Sequence, residues 1–274
     1  MTPTPSAGAP SPFPSIANWR DLGYWIGFDE KIVRPGVVYR TNDFAEISDA
    51  DRAGLAALEL KTIVDLRTQS ERSASPDPKF TGTREVVLDV LADNNTPAMA
   101  ASLDKVLADP KTVHAISEAL TVDKAKELMT STYLDFINLD SAKKSFSTFY
   151  QDLLAHELTP TVFHCTTGKD RTGWTAATFL SLLGVDRSDV YREYLLTNDR
   201  LVPSLKPVFD EFAAAGGDPA LLQPILGVDK VYLDTAFGRL EEVYGTVERY
   251  FDEGLGIDLD AQKALRARFL VDPV

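Results

Sequence analysis

The segment of residues 164–174 constrains the fold most, because it joins a strand pattern directly to a helix pattern. Ahead of it, residues 161–164 are a short run of β-branched and aromatic residues, which predicts a strand. Behind it, residues 176–183 are an apolar run that ends at Gly184, which predicts a helix. A strand that passes through a tight loop into a helix is typical of an α/β domain.

Short apolar runs elsewhere predict further strands over residues 37–39, 61–64 and 85–88. Residues 63–64 and 86–88 are continuously apolar, as expected of strands that are covered on both faces. Helical patterns alternate with these strands and are the only pattern after Asp186, while residues 93–121 resemble a peripheral insertion. The predicted helices span residues 48–58, 146–154, 176–183, 190–196, 201–215, 230–244 and 261–270.

Beyond its first residues the chain has the organisation of one domain. Residues 1–15 hold five prolines and no charged side chain, which predicts a flexible leader. They lack the cationic and apolar regions of a signal peptide, so the compartment stays open between the cytoplasm and secretion without a recognisable signal. No second linker follows, and we expect residues 16–274 to form a single domain with a full core.

The charge balance excludes some classes of partner. The chain carries 28 Lys and Arg against 41 Asp and Glu, a net charge of −13. Binding to nucleic acid needs a positive footprint, which this composition does not supply. No stretch approaches the roughly 18 uncharged apolar residues of a membrane helix, so we expect no stable membrane insertion. Any anion site must therefore be built locally, against the field of the whole protein.

The loop between the strand and the helix has the composition of an oxyanion site. Five residues separate Cys165, the only cysteine, from Arg171. This spacing lets successive backbone N–H groups point inward beside the N-terminus of the following helix, and the guanidinium can hold two oxygens of an anion. The residues expected to bind phosphate are Thr166, Thr167, Gly168, Lys169, Asp170 and Arg171.

Cys165 is the predicted nucleophile. Helix N-termini and nearby cations favour the thiolate, the reactive form, and a thiolate beneath a phosphoryl group is placed for in-line attack. Thr172 can donate its hydroxyl to the sulfur. A lone cysteine is more often a small buried hydrophobe, but the Gly, Lys, Arg and Thr around this one outweigh that interpretation. Because Arg171 and the amides stabilise the phosphoryl charge, we expect no metal and no cofactor.

The same segment resembles the Cys-x5-Arg signature of protein tyrosine phosphatases, in the form typical of bacterial tyrosine and lipid phosphatases. The resemblance implies a phosphatase fold: a central, mostly parallel sheet flanked by helices, with the Cys loop at its C-terminal edge and a helical lid over residues 201–229. Shorter motifs of that family occur in order: Asn18-Trp19-Arg20-Asp21, Arg34-Pro35-Gly36, Tyr39-Arg40-Thr41, Asp65-Leu66-Arg67 with Glu71, Met129-Thr130 with Tyr133, Tyr194-Leu195 with Asn198-Asp199, Ile225 to Val228, Tyr232 and Tyr244-Gly245.

The general acid has more than one candidate. By resemblance to phosphatases with Lys-Asp-Arg in the loop, Asp170 is the acid; the alternative is a structural carboxylate that bonds loop amides. Asp65 is the second candidate, against a role as a cap at the strand end, and Asp199 is the third. By resemblance to lipid phosphatases, Lys169 is expected to bind a second phosphate on an inositol ring. The alternative is that Lys169 only balances the negative charge of Asp170. We expect His164 to bond backbone groups and fix the loop.

Taken together, these features predict a phosphatase that acts on phosphotyrosine, and also on phosphoserine or phosphothreonine, through a cysteinyl-phosphate. The alternative is a phosphoinositide phosphatase that uses the same site. A non-catalytic phospho-ligand binder ranks third, because such a module is expected to carry a damaged loop. The expected partners are a phosphorylated protein or a phosphoinositide.

Overall fold

The central sheet of the computed structural model contains four parallel strands and one antiparallel strand, within the described residues 6–94, 113 and 120–273. A two-stranded antiparallel sheet, β2 (Ile32–Val33) with β7 (Leu270–Val271), lies apart from it. The main sheet has the spatial order β1, β3, β6, β4, β5. Its strands are β1 (Arg20–Asp21), β3 (Val38–Thr41), β4 (Thr62–Asp65), β5 (Arg84–Val87) and β6 (Thr161–His164).

The carboxyl ends of the three inner parallel strands are level. Thr41 in β3 and Asp65 in β4 both pair with His164 in β6, so the chain leaves β6 in the middle of this edge. Strands β3, β4 and β6 are buried along their whole length. The expectation that residues 86–88 are covered on both faces is wrong, because β5 is an edge strand and Val87 is 52% exposed.

The predicted α/β class is confirmed, and all four predicted strands occur, residues 161–164 with the predicted bounds and the others with bounds that differ by one or two residues. The predicted insertion over residues 93–121 lies largely outside the described residues. The α-helices of the described residues are α1 (Asp49–Ala56), α2 (Gln69–Ala74), α3 (Val122–Asn138), α4 (Asp140–Leu154), α5 (Arg171–Leu182), α6 (Arg187–Arg200), α7 (Lys206–Ala214), α8 (Gln223–Leu226), α9 (Lys230–Tyr244), α10 (Val247–Arg249) and α11 (Leu259–Phe269).

Helix α5 runs through the main hydrophobic core and is buried at every residue except Ser181. Its Trp174 ring packs edge-on against Phe237 of α9, at 5.0 Å between centroids. A second, smaller core covers the other face of the sheet around Phe44 and Val162. Because α5 cannot shift without disturbing this packing, the loop at its start has a rigid support. No helix within the described part of the chain is long and apolar enough to cross a membrane.

Residues 201–229 contribute most of the members of a third hydrophobic cluster. Phe212, Leu222 and Ile225 pack there against Ala125 near the start of α3. Asn198 fixes the end of the segment, since its side chain both donates to the Val228 carbonyl and accepts from the Val228 amide. Within the described residues, no hydrogen bond or ion pair joins this segment to residues 165–171. Its function as a lid therefore stays a prediction.

The described residues 6–15 lie against the domain, which differs from a flexible leader over residues 1–15. Phe13 is buried and packs edge-on against Trp19 at 5.1 Å between ring centroids. The Ser15 amide donates to Asp51 Oδ2 in α1 at 2.7 Å. Composition alone did not indicate these contacts, because one aromatic ring and one hydrogen-bonded serine are enough to attach a proline-rich segment.

Candidate active site

The Cys165 loop occupies the edge of the sheet at which the inner parallel strands end. Cys165 directly follows β6 and is 1% exposed. Helix α5 begins at Arg171, and the Trp174 amide donates to the Asp170 carbonyl at 2.8 Å to close its first turn. The cysteine therefore lies at the base of a turn whose far side is a helix N-terminus, as the sequence predicted for this segment.

The carbonyl groups of the loop are held outward by side chains from distant parts of the chain. Asn18 Nδ2 donates to the Thr167 and Gly168 carbonyls at 2.9 and 3.0 Å. Arg40 Nη2 donates to the same Gly168 carbonyl at 2.6 Å. Since a peptide group has its N–H opposite its C=O, these bonds direct the loop amides toward the interior of the turn.

The loop amides have no partner inside the described protein. The Asp43 amide donates to the Thr166 carbonyl at 3.0 Å, which fixes the start of the loop as well. The amides of residues 166–170 donate to no acceptor among the described residues. A set of convergent, unpaired N–H groups at a helix N-terminus is an anion-binding concavity. The loop therefore has the unpaired amides expected of an oxyanion site, and its binding of phosphate stays a prediction.

Gly168 gives the loop its sharp turn. Its φ is +69°, a conformation that side chains rarely adopt, and a Cβ atom there would lie 2.3 Å from the Thr41 carbonyl oxygen. The backbone of the loop consequently touches the backbone of β3 directly. Only glycine fits this position without moving one of the two segments.

Arg171 is held by a carboxylate that has no catalytic assignment from the sequence. Its guanidinium donates from Nη1 and Nη2 to Glu71 Oε2 and Oε1, at 2.7 and 2.6 Å, and both residues are buried. Burial opposes the ionisation of Glu71, but the bonds from Arg171 and Thr166 outweigh it and hold the pKa of Glu71 below its ordinary value. Glu71 also completes the capping box of α2 with Thr68. The fork of Arg171 is thus fixed before any ligand binds.

Asp170 lies between two donors. Lys169 Nζ is 2.8 Å from Asp170 Oδ1 and 2.7 Å from Oδ2, and Lys169 is 2% exposed. The Tyr133 hydroxyl donates to Asp170 Oδ1 at 3.0 Å. The sequence left open that Asp170 is a structural carboxylate that bonds loop amides. Within the described residues its carboxylate accepts no hydrogen bond from a loop amide, so the contacts expected of that alternative are not made. Lys169 does have the contacts expected if it offsets Asp170.

Asp65 belongs to a buried ion cluster next to the loop. Arg67 Nε and Nη2 donate to its two oxygens at 2.9 and 2.8 Å. Burial opposes the ionisation of Asp65, but these bonds and the nearby His164 outweigh it and keep its pKa below the ordinary value. Asp65, Asp77 and His164 lie close enough to hold a metal ion, yet Arg67 already donates to both carboxylates. The guanidinium fills the place of a cation in this cluster.

The two supporting residues predicted from the sequence differ in their contacts. His164 Nδ1 lies 3.1 Å from the Cys165 carbonyl oxygen, and its ring packs edge-on against Phe44. This is the expected bond to the backbone beside the loop. Thr172 Oγ1 is buried but has no hydrogen-bond partner in the described chain, so the predicted donation to Cys165 is not made in this structure. The third candidate acid, Asp199, makes no hydrogen bond with the loop among the described residues.

A buried ion triad connects the loop to α6. Arg20 Nε and Arg40 Nη1 donate to the two oxygens of Glu193 at 2.7 and 2.6 Å. Burial lowers the pKa of Arg20 to about 10, and the second cation, Arg40, acts in the same direction. Removing one member of such a triad leaves an uncompensated buried charge, which is strongly destabilising. The triad fixes Arg40, and Arg40 fixes the Gly168 carbonyl.

The sequence alone assigns no role to the residues that shape the loop from outside, which are Asn18, Arg20, Arg40, Glu71, Tyr133 and Glu193. All except Glu193 lie inside the short motifs on which the resemblance rests. The signal was therefore present as a pattern of polar residues flanking predicted strands and helices. Without the geometry it could not be converted into contacts, because each partner is distant along the chain.

Comparison with known proteins gives a consistent result. The sequence profile of the tyrosine phosphatase family matches residues 11–271. A protein of Cupriavidus necator whose name places it among the tyrosine-protein phosphatases is 30% identical over 90% of this chain and 84% of its own. The triple specificity protein phosphatase PtpB of Mycobacterium tuberculosis is 27% identical over 88% of this chain and 93% of its own. The predicted resemblance to bacterial tyrosine phosphatases is confirmed.

Proposed function

The chain belongs to the tyrosine phosphatase family, and we propose that it hydrolyses phosphotyrosine monoesters through a cysteinyl-phosphate on Cys165. Phosphoserine and phosphothreonine monoesters are further substrates, in line with the name of the mycobacterial relative. The observation that carries the mechanism is the set of unpaired loop amides around a lone buried cysteine. Arg171, already held by Glu71, completes this anion site.

Catalysis takes two steps at this loop. The Cys165 thiolate attacks phosphorus, the bond from phosphorus to the ester oxygen breaks, and the leaving oxygen takes its electron pair and a proton from the acid. Water then attacks the cysteinyl-phosphate, gives a proton to the same carboxylate, and releases phosphate and the thiolate. Arg171 and the amides stabilise the charge on the equatorial oxygens in both steps. The protein supplies this charge itself, so no metal enters the scheme.

We assign the acid to Asp170 rather than Asp65. Asp170 lies inside the loop and is 18% exposed at its side chain, so a substrate held by the loop amides can reach it. Asp65 is engaged at both oxygens by Arg67, and its lowered pKa works against carrying a proton at neutral pH. Both oxygens of Asp170 lie near Lys169 Nζ, but Lys169 is a loop cation that a bound phosphate attracts, and its departure frees Oδ2 to carry and donate the proton.

The test uses p-nitrophenyl phosphate with Cys165→Ser and Arg171→Lys. We expect Cys165→Ser to lose turnover to background while its thermal midpoint and its binding of inorganic phosphate stay close to those of the unchanged protein. Arg171→Lys keeps a positive charge but lacks the bidentate fork, so it should lose at least about a hundredfold in kcat/KM. Turnover retained in Cys165→Ser would contradict the mechanism.

Phosphoinositides are a second candidate substrate, favoured by the buried loop cation Lys169. In the free protein Lys169 pairs with Asp170. A second phosphate on an inositol ring could replace Asp170 as the partner of Lys169. Phosphate release from a phosphoinositide panel and from phosphopeptides should be compared for Lys169→Gln. A loss restricted to the lipids would support this candidate, whereas the absence of any lipid turnover by the unchanged protein would remove it.

A further inference from the structure

Tyr133 contacts the loop carboxylate from outside the loop. Its hydroxyl donates to Asp170 Oδ1 at 3.0 Å, and the residue is fully buried. It lies in α3, which supplies no other hydrogen bond to residues 165–171 among those described. The core does not require a hydroxyl group that donates a hydrogen bond to a candidate acid, because a phenylalanine would fill the same space.

A second phenol fixes the direction of this bond. The hydroxyl oxygens of Tyr133 and Tyr194 are 2.6 Å apart. Since Tyr133 donates its one proton to Asp170, the proton between the two phenols comes from Tyr194. A hydroxyl that accepts one hydrogen bond donates a stronger one. Burial raises the pKa of both phenols well above the ordinary value, so neither loses its proton in an activity assay.

Aromatic packing holds the Tyr133 ring in place. Its centroid lies 5.0 Å from that of Phe136 and 5.5 Å from that of Tyr232. The Tyr232 hydroxyl donates in turn to the Pro224 carbonyl at 2.9 Å, which fixes this neighbour too. The Tyr133 hydroxyl thus has a defined position relative to the loop. This is the property required of a group that orients another.

We propose that Tyr133 is a positioning residue for the general acid, holding Asp170 Oδ1 so that Oδ2 is presented to the leaving oxygen. The inference rests on the proposed function. In the free protein Lys169 also bonds the carboxylate, but a phosphate dianion attracts Lys169 away. Tyr133 is neutral, is not attracted by the phosphate, and keeps its own proton throughout. The proton transferred to the leaving oxygen comes from Asp170 alone.

The test compares two leaving groups. Phenolate is a strong base that needs the acid, whereas p-nitrophenolate leaves with little help. We expect Tyr133→Phe to lower kcat/KM about tenfold for phenyl phosphate but less than about threefold for p-nitrophenyl phosphate. Asp170→Asn should show the same preference more strongly. In the Asp170→Asn background, Tyr133→Phe should cause no further loss, because the two residues act as one unit.

Two controls separate positioning from a general structural defect. Tyr150→Phe removes another buried phenol, whose hydroxyl lies 2.7 Å from that of Thr178 in the core. It should leave kcat/KM unchanged for both substrates. Inhibition by inorganic phosphate should be the same for Tyr133→Phe as for the unchanged protein, because the loop amides are untouched. Tyr194→Phe should give the Tyr133→Phe pattern in weaker form, which keeps the test open if Tyr133→Phe folds poorly.

Each contrary result has its own meaning. An equal loss with both substrates, or a further loss in the Asp170→Asn background, would overturn the positioning role of Tyr133. If Asp170→Asn lowered kcat/KM equally for both substrates, Asp170 would not be the general acid. The positioning role of Tyr133 would then be overturned, while the proposed phosphatase activity would still stand. Full turnover in Cys165→Ser would instead contradict the proposed mechanism, whatever the tyrosine variants do.

Discussion

Replacing Glu71 with glutamine removes the charge that orients Arg171 while keeping the size of the side chain. Both members of this bidentate pair are buried, so the change leaves a guanidinium without its counter-charge. Breaking a buried pair in this way costs about 3 kcal/mol, at the low end of the usual range because the amide oxygen still accepts one bond. For a domain of this size that lowers the thermal midpoint by roughly 6–12 °C.

Activity should also fall in the fraction of Glu71→Gln that remains folded. A guanidinium that is no longer held in the plane of two oxygens costs about a hundredfold in kcat/KM, or about 2.7 kcal/mol of barrier. Because the pKa of Glu71 is lowered in the folded state, the pair contributes its full stability above the ordinary glutamate pKa, and the contribution is lost progressively as the pH falls below that value. The difference in the free energy of unfolding between Glu71→Gln and the unchanged protein should therefore be constant from about pH 5 to about pH 8.

The assay is thermal unfolding together with steady-state hydrolysis of p-nitrophenyl phosphate, on Glu71→Gln and a matched surface variant. Glu241→Gln breaks a pair with Arg187 whose side chains are 43% and 54% exposed, and should shift the midpoint by less than about 2 °C. A Glu71→Gln protein with unchanged kcat/KM would refute the reasoning that Arg171 must be oriented in advance. So would a midpoint change no larger than that of the surface control.

Three further outcomes are expected. Gly168→Ala should abolish phosphate binding, because the new Cβ would lie 2.3 Å from a backbone oxygen, while Gly216→Ala, at φ +88° with nothing within 4 Å, should not alter turnover. Burial raises the pKa of Asp43 from 3.8 to about 7, so the contribution of this group to the free energy of unfolding falls as pH rises through that interval. In urea unfolding, Asp43→Asn should therefore reduce the loss of stability between about pH 5 and about pH 8 by an amount on the order of 3 kcal/mol. An unchanged dependence of the free energy of unfolding on pH would contradict this. Turnover should be the same after dialysis against a chelator, since Arg171 and the amides hold the phosphoryl charge; a loss restored by a divalent cation would be the contrary result.

The positions of the longer strands were predictable because their sequences are short runs rich in β-branched and aromatic residues. Runs at residues 61–64 and 161–164 predicted strands, and the structure has strands there beside each other in parallel. The two-residue strands β1, β2 and β7 were not predicted, because two residues carry no period. The edge position of β5 was also missed, since an apolar run has the same pattern at the edge of a sheet as at its centre.

The site was predictable in its loop but not in its surroundings. Cys165 and Arg171 are joined by a short loop, so spacing alone indicated the anion site. Glu71 and Arg171 are 100 residues apart, and Asn18 and Gly168 are 150 apart. Such pairs depend on how strands are ordered in the sheet, which no local pattern encodes. The partners of the loop therefore became visible only with the fold.

The central claim is that phosphorus is transferred to the Cys165 sulfur inside a preformed ring of amides. The most direct measurement is acid quenching during turnover of phenyl phosphate, followed by mass spectrometry of the peptide that contains residues 164–174. We predict a phosphoryl group on Cys165 in the unchanged protein, and none in Cys165→Ser, whose turnover is lost. A phosphoryl group on another residue, or steady turnover with no phosphorylated intermediate on this peptide in a single-turnover time course, would contradict the account.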